Sequence, residues 1–413
     1  MKEQFKKLYD ILDNRFYFKL LYLFVSITFV TILKYIPGID LLKKISFAWG
    51  ILLLIFMFVN DYKKRKLFNF DIALGLFVIL TFILNIFVYK STSNLKIWLV
   101  NLILFAVVFS IDVFRNKKTL IKEMKIISYF YSVLMFIISF ISLEMKVFSK
   151  SITVKDAAAY EYIFSGEKGG LFENENALCI AAALAIVLCI YLNYESRNYK
   201  AKIFWLTNIA LQVLTMISFS GRSAYLIVIA VIYTFLFVYN KNKYIRGLLI
   251  TLPLAAGIGG YLYEGDQIRN FTSGRTSLWD SAGKVIKQHP FTGVGNSDML
   301  TSVINARPTG DLPGLESGGL HNIYVQIATV NGIIALGLML IFIVLSLIFI
   351  VRHIDTLRKK EKMHMTIVTS LTVGVLAVNV FESTLIYGTS FISIMYWIYL
   401  GYIISILGNK NLE

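Results

Sequence analysis

Residues 332–351 read GIIALGLMLIFIVLSLIFIV, a run of twenty residues without a charged side chain. An apolar stretch of about 20 residues is long enough to cross the hydrocarbon core of a bilayer as an α-helix. Further apolar runs lie at 16–33, 45–60, 67–88, 97–113, 126–144, 174–194, 203–220, 223–239, 247–262, 365–381 and 389–407. The sequence therefore predicts an all-α, polytopic integral membrane protein with about 12 transmembrane helices.

The composition of the 413-residue chain supports the same prediction. Hydrophobic residues make up 57% of the chain and charged residues 16%, whereas about 25% of residues are charged in soluble globular proteins. A single soluble core of this size could not bury so much apolar surface. The two cysteines, Cys179 and Cys189, lie within one apolar run, so we expect neither a disulfide nor a metal site there.

Lys and Arg residues are concentrated in alternate connecting segments. With the N-terminus placed in the cytoplasm, the inner segments hold 26 of the 41 Lys and Arg residues, and the outer segments spread the others over longer stretches. Because cytoplasmic loops are enriched in these residues, we expect both termini to be cytoplasmic. The chain has a net charge of +16, but its basic residues are scattered in short clusters. A nucleic-acid partner is therefore not expected.

The longest polar stretch, residues 263–320, falls on the predicted outer face. A loop of this length usually carries function or is disordered. Its aromatic residues and the amphipathic pattern from Thr276 to Gln288 predict an ordered, partly helical loop. We therefore divide the chain into transmembrane helices 1–9 (residues 1–262), a large extracytoplasmic loop (263–331) and transmembrane helices 10–12 (332–413).

His321 and Asn322 stand where this loop meets the next apolar run. Imidazole titrates near neutral pH, so a histidine at the outer surface can accept a proton from a sugar hydroxyl. In the alternative interpretation, His321 is a structural residue at a helix start that Asn322 caps. Glu382, near the outer end of a late span, either orients such a base, binds a sugar hydroxyl, or is solvated at a helix end.

Three arginines on the outer side are candidate ligands of a diphosphate. Arg222 lies at the outer end of the seventh span, and Arg269 and Arg275 lie in the long loop. A guanidinium matches phosphate oxygens in bidentate fashion, but Arg222 could also snorkel to lipid headgroups, and Arg275 could pair with Asp280 or Glu264. The sequence spacing predicts that one helical face carries Asn208, Gln212, Thr215 and Arg222.

Three motifs follow one another around the long loop. They are SGRSA at 220–224, GRTSLW at 274–279 with HPFTGVG at 289–295, and His-Asn followed after nine residues by Gly332. This set, over roughly residues 170–345, resembles the O-antigen ligase/polymerase superfamily, which comprises the Wzy-type repeat-unit polymerases and the WaaL-type ligases. By similarity, Arg222 and Arg275 would hold a diphosphate and His321 would activate the acceptor; Asn322, Glu382 and Asn176 are candidate accessory residues.

The resemblance implies a GT-C-like glycosyltransferase of the bacterial cytoplasmic membrane whose donor is a glycan on undecaprenyl diphosphate. It also implies surface polysaccharide (O-antigen or capsule) as the product, with a chain-length regulator and a flippase as candidate partners. We expect no cofactor and no metal, because arginines can stabilise the charge of a departing diphosphate and no cluster of transition-metal ligands is evident.

Two other functions stay open at this point. A ligase that transfers a lipid-linked glycan to a lipid, protein or wall acceptor shares the chemistry and differs in the acceptor. The segment around Asn174 and Asn176 matches the Asn-Pro-Asn segment of the family only loosely, which favours the polymerase. A lipid-linked oligosaccharide flippase or another transporter is the second alternative, and such proteins often contain inverted repeats and midplane ionisable residues.

Overall fold

The computed structural model describes residues 9–61, 66–155, 160–262, 272–307, 312 and 319–409. The helices of the first half are α1 (Arg15–Thr28), α2 (Ile39–Phe56), α3 (Asn69–Ile83), α4 (Thr92–Ile103), α5 (Lys117–Val147) and α6 (Glu175–Glu195). The second half contains α7 (Tyr199–Phe219), α8 (Tyr225–Tyr239), α9 (Lys243–Leu262), α10 (Arg275–Gln288), α11 (Met299–Asn305), α12 (Ile323–Thr356), α13 (Lys359–Val378) and α14 (Phe391–Leu407). Each predicted span overlaps one of these helices.

The predicted all-α membrane fold is confirmed. Within the described residues, seven helical segments are long and apolar enough to cross a membrane. The loop between α5 and α6 adds an antiparallel hairpin that the sequence analysis did not predict, with strands β1 (Ser151–Lys155) and β2 (Glu161–Ser165). The predicted helix in the long loop is present as α10 and begins one residue earlier than expected.

Helices α6 and α14 form the centre of the bundle. Every residue of α14 is buried, and Trp397 packs against the rings of Phe105, Phe109 and Phe342. Helix α6 carries a run of small residues at 181–183 that is fully buried. Because lipid provides no hydrophobic driving force between helices, close packing of this kind is what holds membrane helices together.

Polar contacts join the helix ends in two separate sets. Pairs between predicted inner segments include Arg15–Asp112, Lys117–Glu361, Glu195–His364 and Arg246–Asp355. Pairs between predicted outer segments are Lys34–Glu173, Asn94–Ser297 and Ser223–Glu382. A chain that crosses the membrane in alternating directions produces this grouping, and the cytoplasmic location of the first set stays a prediction.

Helix α12 is broken at Gly332, which has φ 82° and ψ 171°. The HPFTGVG segment packs against the break: the N–H of Val294 donates to the carbonyl of Thr329 at 3.0 Å, and the N–H of Ile333 donates to that of Pro290 at 2.8 Å. The long loop thus supplies partners for backbone groups near the break. Helix α12 begins nine residues before the predicted span 332–351. The first residue of that predicted span is therefore the break at Gly332 and not the start of the helix.

We expect Gly332→Ala to lower the free energy of unfolding by about 1–3 kcal/mol, the usual cost of a non-glycine residue in a strained backbone conformation. A Cβ at this position would also lie 2.4 Å from the carbonyl oxygen of Phe291. Thermal unfolding of the detergent-solubilised protein measures the change. The matched control is Gly337→Ala in the same helix, where a Cβ would meet nothing within 4 Å; equal stability of the two variants would contradict the prediction.

Candidate functional site

The carboxylate of Glu382 lies at the meeting point of three other side chains. Its Oε2 is 3.6 Å from Nδ1 of His321, and its Oε1 is 3.8 Å from Nη2 of Arg275. The hydroxyl of Ser223 donates a hydrogen bond to the same Oε1 at 3.3 Å. The side chains of Glu382, His321 and Arg275 are 13–15% exposed. They therefore form a shallowly buried cluster at the predicted outer end of the bundle, which we call the Glu382 cluster.

The loop between α13 and α14 captures the first backbone N–H groups of α12. The N–H of Asn322 donates to Oγ of Ser383 at 3.0 Å. The N–H of Ile323 donates to the carbonyl oxygens of Asn379 and Glu382, at 3.0 and 3.1 Å. These groups have no partner within their own helix, so the loop satisfies them. The docking fixes the segment before α12 against Glu382.

His321 adopts a left-handed backbone conformation, with φ 48°. Its neighbour Leu320 is held on both sides, because its N–H donates to Oε1 of Gln326 at 3.2 Å and its carbonyl accepts from the indole N–H of Trp279 at 2.8 Å. A left-handed non-glycine residue persists only where its surroundings determine it. The strained turn therefore aims the imidazole at Glu382.

Arg275 is the first residue of α10 and follows Gly274, which has φ 78°. Its Nη1 donates to the carbonyl oxygen of Phe381. Of the two acidic partners considered in the sequence analysis, Asp280 is not the partner, and Glu264 lies outside the described residues. The carboxylate that Arg275 approaches is Glu382, which is 107 positions away in the sequence. The arginine thus connects the long loop with the loop that precedes α14.

Arg222 does not share the helical face predicted for it. Helix α7 ends at Phe219, and the left-handed Ser220, with φ 56°, breaks the helical periodicity before the arginine. Asn208, Gln212 and Thr215 are fully buried, and the amides of the first two donate to carbonyl oxygens of α5. These residues hold helices together, whereas Arg222 is exposed and its guanidinium makes no hydrogen bond or ion pair among the described residues.

The turn of Arg222 reaches the Glu382 cluster through its neighbour, Ser223. Gly221 lets this turn approach the start of α6: its N–H donates to Sγ of Cys179 at 3.3 Å, and a Cβ on Gly221 would lie 2.9 Å from the carbonyl oxygen of Glu175. Asn176, in the same first turn of α6, is half-buried. Within the described residues it makes no hydrogen bond to the cluster.

The described structure thus gathers His321, Arg275 and Glu382, and places Arg222 one residue from a fourth member, Ser223. Arg269 lies outside the described residues. Ser223 and Ser383 were not predicted as site residues, although each is adjacent to a residue that was. Among the described residues, no group of three His, Cys, Asp or Glu side chains is arranged as in a metal site; the expectation of a metal-free site stays a prediction.

The cluster combines an imidazole and a carboxylate, which can transfer a proton, with the guanidinium of Arg275. The distance of 3.6 Å between Nδ1 of His321 and Oε2 of Glu382 makes this an electrostatic contact rather than a hydrogen bond. A guanidinium fork can bind two oxygens of a phosphate group at once. The arrangement therefore suits removal of a proton from a hydroxyl next to an anionic group.

Comparison with known proteins identifies a related family. Residues 171–340 match the sequence model of a family described as O-antigen ligase, while no curated protein matches the chain. The matched segment includes Arg222, Arg275 and His321, and ends before Glu382. The match confirms the resemblance to the O-antigen ligase/polymerase superfamily and supports a glycosyl-transferring membrane enzyme.

We expect Asn322→Ala to destabilise the protein by about 0.5–2 kcal/mol, the usual cost of losing a helix N-cap. The side-chain oxygen of Asn322 accepts from the N–H groups of Tyr324 and Val325 at 3.0 and 3.1 Å. Asn322→Asp keeps such an oxygen and serves as the control in thermal unfolding. If the alanine variant were as stable as the aspartate variant, the cap would not hold the start of α12.

Proposed function

From the similarity of residues 171–340 to the O-antigen ligase family, we propose that this membrane protein polymerises undecaprenyl-diphosphate-linked oligosaccharide repeat units into surface polysaccharide. The reaction would take place at the outer face of the bacterial cytoplasmic membrane. The convergence of His321, Arg275 and the turn of Arg222 around Glu382 is the observation that supports the proposal most strongly.

The predicted location of the cluster restricts the donor. An enzyme on the outer face has no access to ATP or to nucleotide sugars in the cytoplasm. Its glycosyl donor must arrive already activated, and a lipid diphosphate both activates the sugar and carries it across the membrane. A membrane-bound donor also suits a site at the end of a helix bundle, where the lipid tail can stay in the bilayer.

In the proposed reaction, a hydroxyl oxygen of the acceptor sugar attacks the anomeric carbon of the donor glycan. The bond between that carbon and the diphosphate oxygen breaks, and the diphosphate leaves with the electron pair. His321 takes the proton of the hydroxyl as general base. Glu382 acts as a positioning residue, because its carboxylate orients the imidazole and stabilises the positive charge that the ring acquires.

The two arginines would hold the departing diphosphate from different sides. Arg275 has a fixed orientation, because Nη1 is bonded to the carbonyl of Phe381. Arg222 is exposed and can turn toward an arriving donor. Preorganised cations at the position where negative charge develops are among the largest contributions to enzymatic rate, and they explain how the step could proceed without a metal ion.

The polymerase and the ligase differ in the acceptor, which is either another lipid-linked repeat unit or a different molecule. The loose match around Asn174 and Asn176 to the Asn-Pro-Asn segment favours polymerisation. Purified protein supplied with only a lipid-linked repeat unit separates the two functions. A ladder of products indicates polymerisation, whereas a ligase would leave single units until a different acceptor is added.

We expect His321→Ala to lower the rate of ladder formation by about 10²–10⁴-fold, the range associated with loss of a general base. The measurement is product length against time on the purified protein, with thermal unfolding as a check on folding. The matched control is His289→Ala, because His289 is an exposed histidine of the same long loop. A normal ladder from a folded His321→Ala variant would remove His321 from the reaction.

We expect Arg222→Lys and Arg275→Lys each to lower the rate by roughly 10²-fold, comparable to losing one preorganised donor. Lysine keeps the charge, but its single ammonium cannot reproduce the bidentate guanidinium fork. Arg307→Lys, which changes a half-buried arginine of the same loop, is the control in the same assay. Unchanged rates in both test variants would argue against binding of the diphosphate by these arginines.

A further inference from the structure

A basic cavity lies at the predicted inner end of the bundle, away from the Glu382 cluster. Its volume is about 420 Å³. Its lining includes Lys125 of α5, Arg197 from the connection between α6 and α7, and Lys360 of α13. Among the described lining residues, Glu195 at the end of α6 is the one acidic side chain. We call this site the Arg197 cavity.

The acidic side chain of the Arg197 cavity is already paired within the fold. Oε1 of Glu195 lies 2.7 Å from Nε2 of His364, and its Oε2 lies 3.7 Å from Nζ of Lys125. By contrast, Arg197 and Lys360 are exposed, and their side chains make no ion pair or hydrogen bond among the described residues. With three basic side chains against one carboxylate, the cavity carries an excess of positive charge.

The acidic side chains near the start of α13 are paired as well. Asp355 accepts hydrogen bonds from Arg246 at 2.7 Å and from Lys362 at 3.2 Å. Oε1 of Glu361 lies 3.3 Å from Nζ of Lys117. Because these carboxylates already have basic partners, the counter-charge of the Arg197 cavity is left to another molecule.

Two helix starts add to the positive potential of the cavity. Helix α7 begins directly after Asn198, which lines the cavity, and Lys360 is the second residue of α13. The first N–H groups of a helix lack partners within that helix, and the helix dipole is positive at that end. Basic side chains and helix starts together favour an oxyanion that accepts several hydrogen bonds, such as a phosphate group.

Apolar side chains lead from the cavity along the surfaces of α5 and α7. Tyr129 lines the cavity and packs edge-on against Trp205, with ring centroids 5.0 Å apart. Exposed apolar side chains of the two predicted spans continue this surface: Ile126, Val133 and Ile137 on α5, and Ile203 and Leu206 on α7. An acyl chain can lie along such a surface from a headgroup in the cavity, whereas a free phosphate ion would leave it unused.

We propose that the Arg197 cavity binds the phosphate of an anionic phospholipid of the cytoplasmic leaflet. The basic side chains would hold the phosphate oxygens while the acyl chains stay in the bilayer. Basic pockets between helices on the cytoplasmic side are suited to such headgroups. The cavity volume lies within the ~300–1,000 Å³ of small-ligand sites, so it has room for a phosphate with its glycerol. This site is separate from the Glu382 cluster and does not depend on the proposed function.

Binding of individual lipids to the purified full chain tests the proposal. Native mass spectrometry measures the affinity for dioleoylphosphatidylglycerol and for dioleoylphosphatidylcholine. The two lipids have the same acyl chains and each contains a phosphate, but only phosphatidylglycerol has a net negative charge. We expect phosphatidylglycerol to bind at least about tenfold more tightly, because an uncompensated anion is what the excess cations attract. Equal affinity for the two lipids would overturn the proposal.

A double variant removes the two basic side chains that have no acidic partner. Arg197→Gln combined with Lys360→Gln should lower the affinity for phosphatidylglycerol at least about tenfold, because each basic residue near an anionic headgroup contributes to binding. The matched control combines Lys241→Gln with Lys243→Gln, which removes the same charge from exposed residues of another predicted inner segment. An equal loss of affinity in both double variants would indicate attraction by overall charge and would overturn the site.

Soluble phosphates distinguish a lipid site from a site for a free anion. Inorganic phosphate and glycerol phosphate are each added at the concentration of phosphatidylglycerol. We expect neither to displace the lipid, because acyl chains contribute a large part of the affinity of a lipid for an apolar surface. Displacement by either compound would assign the cavity to a soluble phosphate and overturn the lipid proposal.

Thermal unfolding provides a second measurement that requires no turnover. A ligand that binds the folded state raises the Tm by mass action. Phosphatidylglycerol should therefore raise the Tm of the unaltered protein and of the Lys241→Gln, Lys243→Gln control more than that of the Arg197→Gln, Lys360→Gln variant. Equal increases in all three proteins would contradict binding in the Arg197 cavity, whatever the result of the ladder assay.

Discussion

Capture of the first N–H groups of α12 by the loop at 379–383 is the interaction on which the rest of the site depends. Near lipid, a helix end whose backbone donors lack partners is expensive. The hydroxyl of Ser383 and the carbonyls of Asn379 and Glu382 supply these partners. The same bonds bring the Glu382 side chain next to the residue that precedes the cap. His321 therefore lies beside a carboxylate because the first backbone N–H groups of α12 need hydrogen-bond partners, and the loop that carries Glu382 supplies them.

Two interruptions of helical order bring the long loop and the arginines to this end of the bundle. At Ser220 a left-handed residue ends α7, and the following Gly221 allows its turn to pack on α6. At Gly332 a second interruption opens α12 to the HPFTGVG segment. Irregular backbone at membrane depth is tolerated where protein covers it. Both interruptions occur in segments that the family match covers.

The spans were predictable because membrane insertion depends on local hydropathy, which a single sequence displays. The site was only partly predictable. His321, Arg222 and Arg275 could be selected from residue type and position, but the meeting of Arg275 with Glu382 joins residues 107 positions apart, and no local pattern encodes it. The helical face assigned to Arg222 was wrong because periodicity assumes an unbroken helix, and the φ of 56° at Ser220 ends that periodicity.

The charges of the Glu382 cluster also explain why one carboxylate among basic groups suits the proposed chemistry. Without substrate, Glu382 offsets part of the charge of Arg275 and so limits repulsion between the arginine and a protonated His321. In the proposed reaction, a diphosphate held by both arginines would replace the carboxylate as the partner of Arg275, and Glu382 would become more available to the imidazole. Positive charge on His321 would then develop while negative charge builds up on the departing diphosphate. Proton transfer and bond cleavage would therefore stabilise each other within one site, because the charges that the two steps create have opposite signs.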